Sequence, residues 1–317
     1  MLAKKHLLAL PCMFLLIAAP ARADWPSRVF APYFFWDSGD RLKLTDVYAA
    51  TGQKYFTLAF IIADRSGAAT WNGQIPMSEK RYGDQIAALR ATGGDVIVSF
   101  GGEAGKEVAI TTDSAQDLAV KYQSVIDAYK LTWLDFDIEG RGLENADANQ
   151  RRNAAIKMLQ VKYPGLRITY TLPADPDGLS SESQDLLRDA HQRGVVVNVV
   201  NPMTMYFGSR FIAGTTESAV AIQTLEKVHE QVAAIDPAMK IGATPNIGVN
   251  GEKDEIFNQS DAATLEAWCE SHPWMVFEAF WSANRDNGAP RRHGDDTSSG
   301  IQQKPWEFTN AFKAFTK

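Results

Sequence analysis

The stretch LTWLDFDIEG, Leu131 to Gly140, sets three acids into what is otherwise an apolar strand. Asp135, Asp137 and Glu139 alternate with Leu134, Phe136 and Ile138. Side chains two apart on a strand share a face, roughly 6.5–7 Å from one another. The acids therefore line one side and the apolar residues the other. Such a row has no folding rationale, because desolvation and mutual repulsion both disfavour full ionisation. At least one carboxyl is expected to keep its proton above its solution range, as a general acid must. Two other readings stay open at this point: a half-exposed strand with its acids in water, and a hard-cation site on Asp-x-Asp.

On either side of this stretch, β-branched or aromatic runs alternate with helical patterns. Strands are predicted at 28–36, 54–62, 95–100, 131–138, 166–172, 195–205, 239–245 and 274–281. Helices are predicted between them, among others at 79–94, 114–130, 149–163, 183–194 and 217–235. Several begin near Ser, Thr or Asp and end near Gly or Pro. Eight strands each followed by a helix predict a (β/α)8 barrel, a fold of roughly 250 residues plus loops, here one domain over residues 24–317. Barrel enzymes keep their sites at the C-terminal mouth, and Glu139 is the acid nearest that end. A doubly wound open sheet is the alternative and would need a phosphate turn. FGGEAGKE (100–107) is the best candidate, but it lacks the first P-loop glycine and carries Glu107 where Ser or Thr should follow the lysine. It reads as a tight strand-end loop.

The chain has 317 residues, 45% hydrophobic and 22% charged, an ordinary globular composition. Residues 1–23 pair Lys4 and Lys5 with an apolar run and an Ala-Arg-Ala ending, the layout of a cleavable secretory signal. Export to the periplasm or beyond is the expectation, with no membrane anchor after cleavage. Without that segment the 32 basic residues lose Lys4, Lys5 and Arg22, leaving 29 against 38 acids. Nucleic acid and anionic membranes are poor partners for such a chain, and a neutral polymer suits it better. Cys269 is then the only cysteine, read as a small buried apolar residue rather than a disulfide partner. His191, His229, His272 and His293 show no metal-ligand spacing, and no G-x-S-x-G elbow is present.

DFDIEG, with VSFGG one strand earlier, resembles the signature of glycoside hydrolase family 18, the chitinase family. That pattern is D-x-x-D-x-D-x-E at the end of the fourth barrel strand, after S-x-G-G at the third. APYFFW, FTLAFI, TYTLP, MTMYFG, ATPNIGVN and FWSANRD resemble the family's remaining strand ends, in order. The compact secreted bacterial and archaeal chitinases are the nearest subgroup. The resemblance implies hydrolysis of β-1,4-linked N-acetylglucosamine with retention, the sugar's own 2-acetamido group serving as nucleophile. Glu139 would be the proton donor, Asp137 would hold the amide, and Asp135 would tune Asp137 with Ser99 steadying the pair. Tyr206, Trp281, Met203, Tyr33 and Asn246 are the other candidate substrate contacts, with Trp36 extending an aromatic floor and Phe34 read as core. Neither metal nor organic cofactor is implied, and a monomer is expected.

Two positions depart from the pattern. Thr132 stands where its first Asp would be, and the family's usual tyrosine after the sixth strand falls on Met205, beside Tyr206. An endo-β-N-acetylglucosaminidase acting on glycoprotein glycans and a non-catalytic chitin-binding barrel are the competing readings. About thirty residues separate the last two strands, too few for an inserted domain, so a shallow groove is expected.

Overall fold

Pro32 divides the first strand, and the division closes the sheet. In the computed structural model of the chain, which describes residues 25–35, 42–251, 255–290 and 296–317, Val29–Phe30 pairs with the last strand, Met275–Glu278. Tyr33–Phe35 pairs with the second, Tyr55–Ala63. Proline offers no N–H to a ladder, but its carbonyl still accepts from Thr57. From Tyr55–Ala63 the parallel order runs through Asp95–Gly101, Trp133–Asp137, Arg167–Asp175, Val199–Met203 and Lys240–Ala243 back to Met275–Glu278. The result is a closed (β/α)8 barrel. Residues 1–23, read above as a signal segment, Trp36 and His293 lie outside the described residues.

Six helices of eight residues or more follow the strands from the second to the seventh: Gly83–Ala91, Ala115–Tyr129, Ala146–Lys162, Ser181–Gln192, Glu217–Ile235 and Gln259–Ser271. Ser114, Asn145, Ser180, Thr216 and Asn258 cap the last five, each side chain accepting a backbone N–H. Such a cap contributes about 1 kcal/mol. Asn145 explains why the helix predicted at 149–163 starts earlier. The sixth strand is shorter than the predicted 195–205 because Gln160 takes both backbone groups of Val196, leaving that valine 60% exposed. Between the last two strands the described residues hold a two-stranded ribbon, Gly248–Val249 with Ile256–Phe257, and the helix Gln259–Ser271. Cys269 is buried on that helix.

The barrel has two apolar compartments. The outer one lies between strands and helices and contains Leu134, Phe136 and Ile138. Phe136 stacks on Phe100 at 5.3 Å, with Tyr122 edge-on at 5.1 Å. The inner one is a plug of Val29, Ala31, Tyr55, Ile97, Trp133, Val199 and Phe277. Trp25 closes it from below, edge-on to Trp133 at 4.9 Å and donating to Thr132 Oγ1. Thr132, one of the two departures from the family pattern, and its neighbour Trp133 therefore build the barrel floor. Among the described residues no helix is long and apolar enough to cross a membrane.

Candidate active site

Strand tilt decides what each acid meets. Asp135 is in register with Ser99 and Thr169, yet Thr169 is taken by Trp133 Nε1 at 2.8 Å from below. Asp135 instead accepts from Ser99 at 2.6 Å, Thr171 at 2.8 Å and Tyr33 at 2.9 Å. Thr171 accepts in turn from Asn201, which also donates to Thr244. A belt of hydroxyls and one amide thus crosses the barrel just above the plug, with Asp135 at its centre. Burial pushes the Asp135 carboxyl up to about 6, although all three hydroxyls pull the other way.

Asp137 lies one layer nearer the mouth and is also buried. Its carboxyl is held well above the ordinary range, first by burial, then by the charges of Glu139 and Asp135. It interacts with the Glu139 carboxyl beside it, while its Oδ1 is buried without a partner among the described residues. Glu139 is half-buried and raised as well, chiefly by burial, with Glu103 adding like charge. With both carboxyls raised and each within reach of the other's charge, the row favours keeping a proton over full ionisation. No cation figures among the groups that shift it. Gly101 and Gly102 make this packing possible. Both have positive φ, a Cβ on Gly101 would collide with the Asp137 carbonyl, and Gly102 N–H donates to that same oxygen at 2.9 Å.

Above the row opens a cavity of about 400 Å³. Glu139 forms one side; Pro173 and Asp175 of the fifth strand, Leu179 of the two-residue strand that turns back on it, and Met203, Met205 and Tyr206 form others. Tyr206 is 52% exposed and accepts from Asn246 Nδ2 at 3.1 Å. Asn246 itself is buried, its Oδ1 without a partner. Trp281 is half-buried at the end of the last strand, stacked with Phe35 and Phe60 and 5.8 Å from Tyr33. Tyr33 is 1% exposed, so it reaches the acids from within the barrel and not from the groove. Phe34 belongs to the outer core, packed on Phe56 and Tyr82.

Thr171, Asn201 and Thr244 do not stand out in the sequence. Their only signal is a polar residue at an inward position of an apolar strand. The loop after the third strand hides another group, the ion pair of Glu107 with Arg152 at 2.7 Å, Arg152 being fully buried. Among the described residues no cluster of His, Cys, Asp and Glu is arranged to hold a metal ion.

A closed (β/α)8 barrel with stacked carboxyls at the mouth of its fourth strand defines a class, the barrel glycoside hydrolases. No protein-family profile matches the chain. It is 32% identical to the catalytic domain of a hyperthermophilic chitinase from Pyrococcus furiosus, over 94% of this chain and 97% of that one, with a TM-score of 0.83. It is 30% identical over 95% of its length to a probable bifunctional chitinase/lysozyme of Escherichia coli, and 32% over 85% to endochitinase 11 of Metarhizium anisopliae. The chain spans 36% and 54% of those two curated relatives. It belongs to glycoside hydrolase family 18, the chitinases.

Proposed function

We propose that the protein is a chitinase that hydrolyses β-1,4-linked N-acetylglucosamine with retention. The observation that carries this is the buried, unpartnered Asp137 Oδ1 beside Glu139. It is an acceptor waiting for a donor, and a sugar's acetamido N–H in the cavity would satisfy it. Glu139, the most accessible acid and one whose proton is retained by burial, donates to the glycosidic oxygen as the C1–O bond breaks. The acetamido carbonyl oxygen closes on C1 to give an oxazolinium ion. Asp137 holds its N–H and offsets the positive charge, and the belt around Asp135 keeps Asp137 in place. Glu139, now a carboxylate, takes a proton from water, whose oxygen opens the ring at C1 with retained configuration.

The three relatives bear chitinase names, which supports chitin over glycoprotein glycans as substrate, and the intact Glu139 supports an enzyme over a binding barrel. Trp281, Tyr206 and Met203 are proposed sugar contacts, with Asn246 acting through Tyr206. Secretion through residues 1–23, action as a monomer and a preference for soluble oligomers over crystalline chitin complete the proposal. The test is release of chromophore from a chitobioside substrate. Glu139→Gln should lose on the order of 10³-fold in kcat at unchanged fold. Equal release by the native and Glu139→Gln proteins would sink the enzyme reading.

A further inference from the structure

Tyr206 sits on a short irregular segment, 204–208, that follows the sixth barrel strand. Its φ is 55°, in the left-handed region that costs a non-glycine residue about 1 kcal/mol or more. Its side chain is 52% exposed and accepts a hydrogen bond from Asn246. Buried support comes from the next two residues. Phe207 buries its ring in the outer core, and its N–H donates to Glu255 Oε1 at 2.6 Å. Gly208 N–H points to Glu255 Oε2 at 3.4 Å. Successive N–H groups converging on one carboxyl form an anion nest.

Glu255 is 2% exposed and belongs to a different part of the chain, beyond the seventh strand. Its carbonyl accepts from Asn250 N–H at 2.9 Å, and Asn250 Nδ2 donates to the Asn246 carbonyl at 3.2 Å. Asn246 in turn donates to Tyr206 Oη. One buried carboxyl thus ties the segment bearing Tyr206 to the segment bearing its hydrogen-bond donor.

We propose that Glu255 is a positioning residue: by binding the Phe207 and Gly208 N–H groups it holds Tyr206 in its left-handed conformation, with the ring over the cavity beside Glu139, and so sets the affinity for the bound sugar. This rests on the chitinase reading of that cavity. The expected signature is a change in ground-state binding, because Tyr206 lies beside the reacting groups and is not one of them.

Glu255→Gln keeps the shape but turns an amide donor toward one of the two N–H groups. KM for a tetramer of N-acetylglucosamine should rise about tenfold, the worth of a hydrogen bond to a charged group, with kcat within twofold. Glu255→Asp should recover part of the loss. In a Tyr206→Ala background, Glu255→Gln should add nothing, since contacts acting through one residue are not additive. An unchanged KM, or the same rise in both backgrounds, overturns the proposal. If Glu255→Gln does not fold, Glu255→Asp is measured in both backgrounds against the same criteria. If the native protein fails to cleave the tetramer, the chitinase reading falls separately. Calorimetric titration of the tetramer then decides the clamp by the same double-mutant cycle, and no measurable binding overturns both.

Discussion

Two clusters of buried charge flank the end of the third strand, and they are built on opposite principles. Glu107 and Arg152 form a closed pair. Arg152 also donates to Asn149 at 2.6 Å, and Glu107 accepts from Ala109 N–H and Tyr122 Oη. Among the described residues no cation shifts Asp135, Asp137 or Glu139, and Asp137 keeps an oxygen without a partner. Apart from Arg152 Nε, which is buried without a partner among the described residues, the first cluster spends its hydrogen bonds on fixing the loop that follows Gly101 and Gly102. The second leaves capacity unused, as a site that must bind and move a proton requires.

The largest effect should come from breaking the closed pair. Arg152→Ala leaves Glu107 buried without its counter-charge, and a loss of about 3–5 kcal/mol in unfolding free energy is expected. Urea denaturation measures it; a loss below 1 kcal/mol would mean that the pair is structurally idle. Asp137→Asn should do the reverse. Activity on the chitobioside falls on the order of 100-fold, while stability well above the ordinary Asp range is unchanged or higher. The sign follows from the raised carboxyl: its favourable contribution is complete below the ordinary Asp range and is lost as pH rises, and an amide has none to lose. A parallel fall in melting temperature and activity would place Asp137 with the structural cluster.

Another buried acid refines the contrast. Among the described residues Glu217 has neither carboxyl oxygen hydrogen-bonded, and burial, with Glu255 and Asp261 nearby, lifts it to about 8. Its contribution to stability is full below about 4.5 and is lost as pH rises toward 8. Glu217→Gln should therefore raise the melting temperature by roughly 2–4 °C at pH 8 and not at pH 4. An equal change at both pH values would rule out the retained proton. The smallest effect is expected at Thr171→Val, which removes one of three hydroxyls from Asp135. A loss of about fivefold in kcat should come with a pH–rate limb moved to higher pH, because the lost hydroxyl was lowering the Asp135 carboxyl. Superimposable profiles would show that the belt is a scaffold only.

Much of this was legible before any coordinates. The alternation at 134–139 required one apolar and one acidic face, and Leu134, Phe136 and Ile138 do lie in the outer core. Eight strand-like runs with capped helices between them sufficed for the barrel, because strand and helix periods and N-caps are local properties. Strand ends are less legible. The valines of 195–205 look alike in the sequence, whereas Gln160, far away in it, removes Val196 from the ladder.

Residue types and spacing alone determined that three carboxyls would share a face near a barrel mouth, that one would keep its proton, and that glycines would follow the third strand. The tertiary structure decided which partners they meet. Tilt hands Asp135 to Thr171 and leaves Thr169 to Trp133. Chain closure brings Tyr33 under the acids rather than into the groove. Glu255 reaches Tyr206's segment across 48 positions of sequence. A pattern along one strand is set by the pleat of that strand, but a hydrogen-bond partner is set by how distant strands are staggered when the barrel closes.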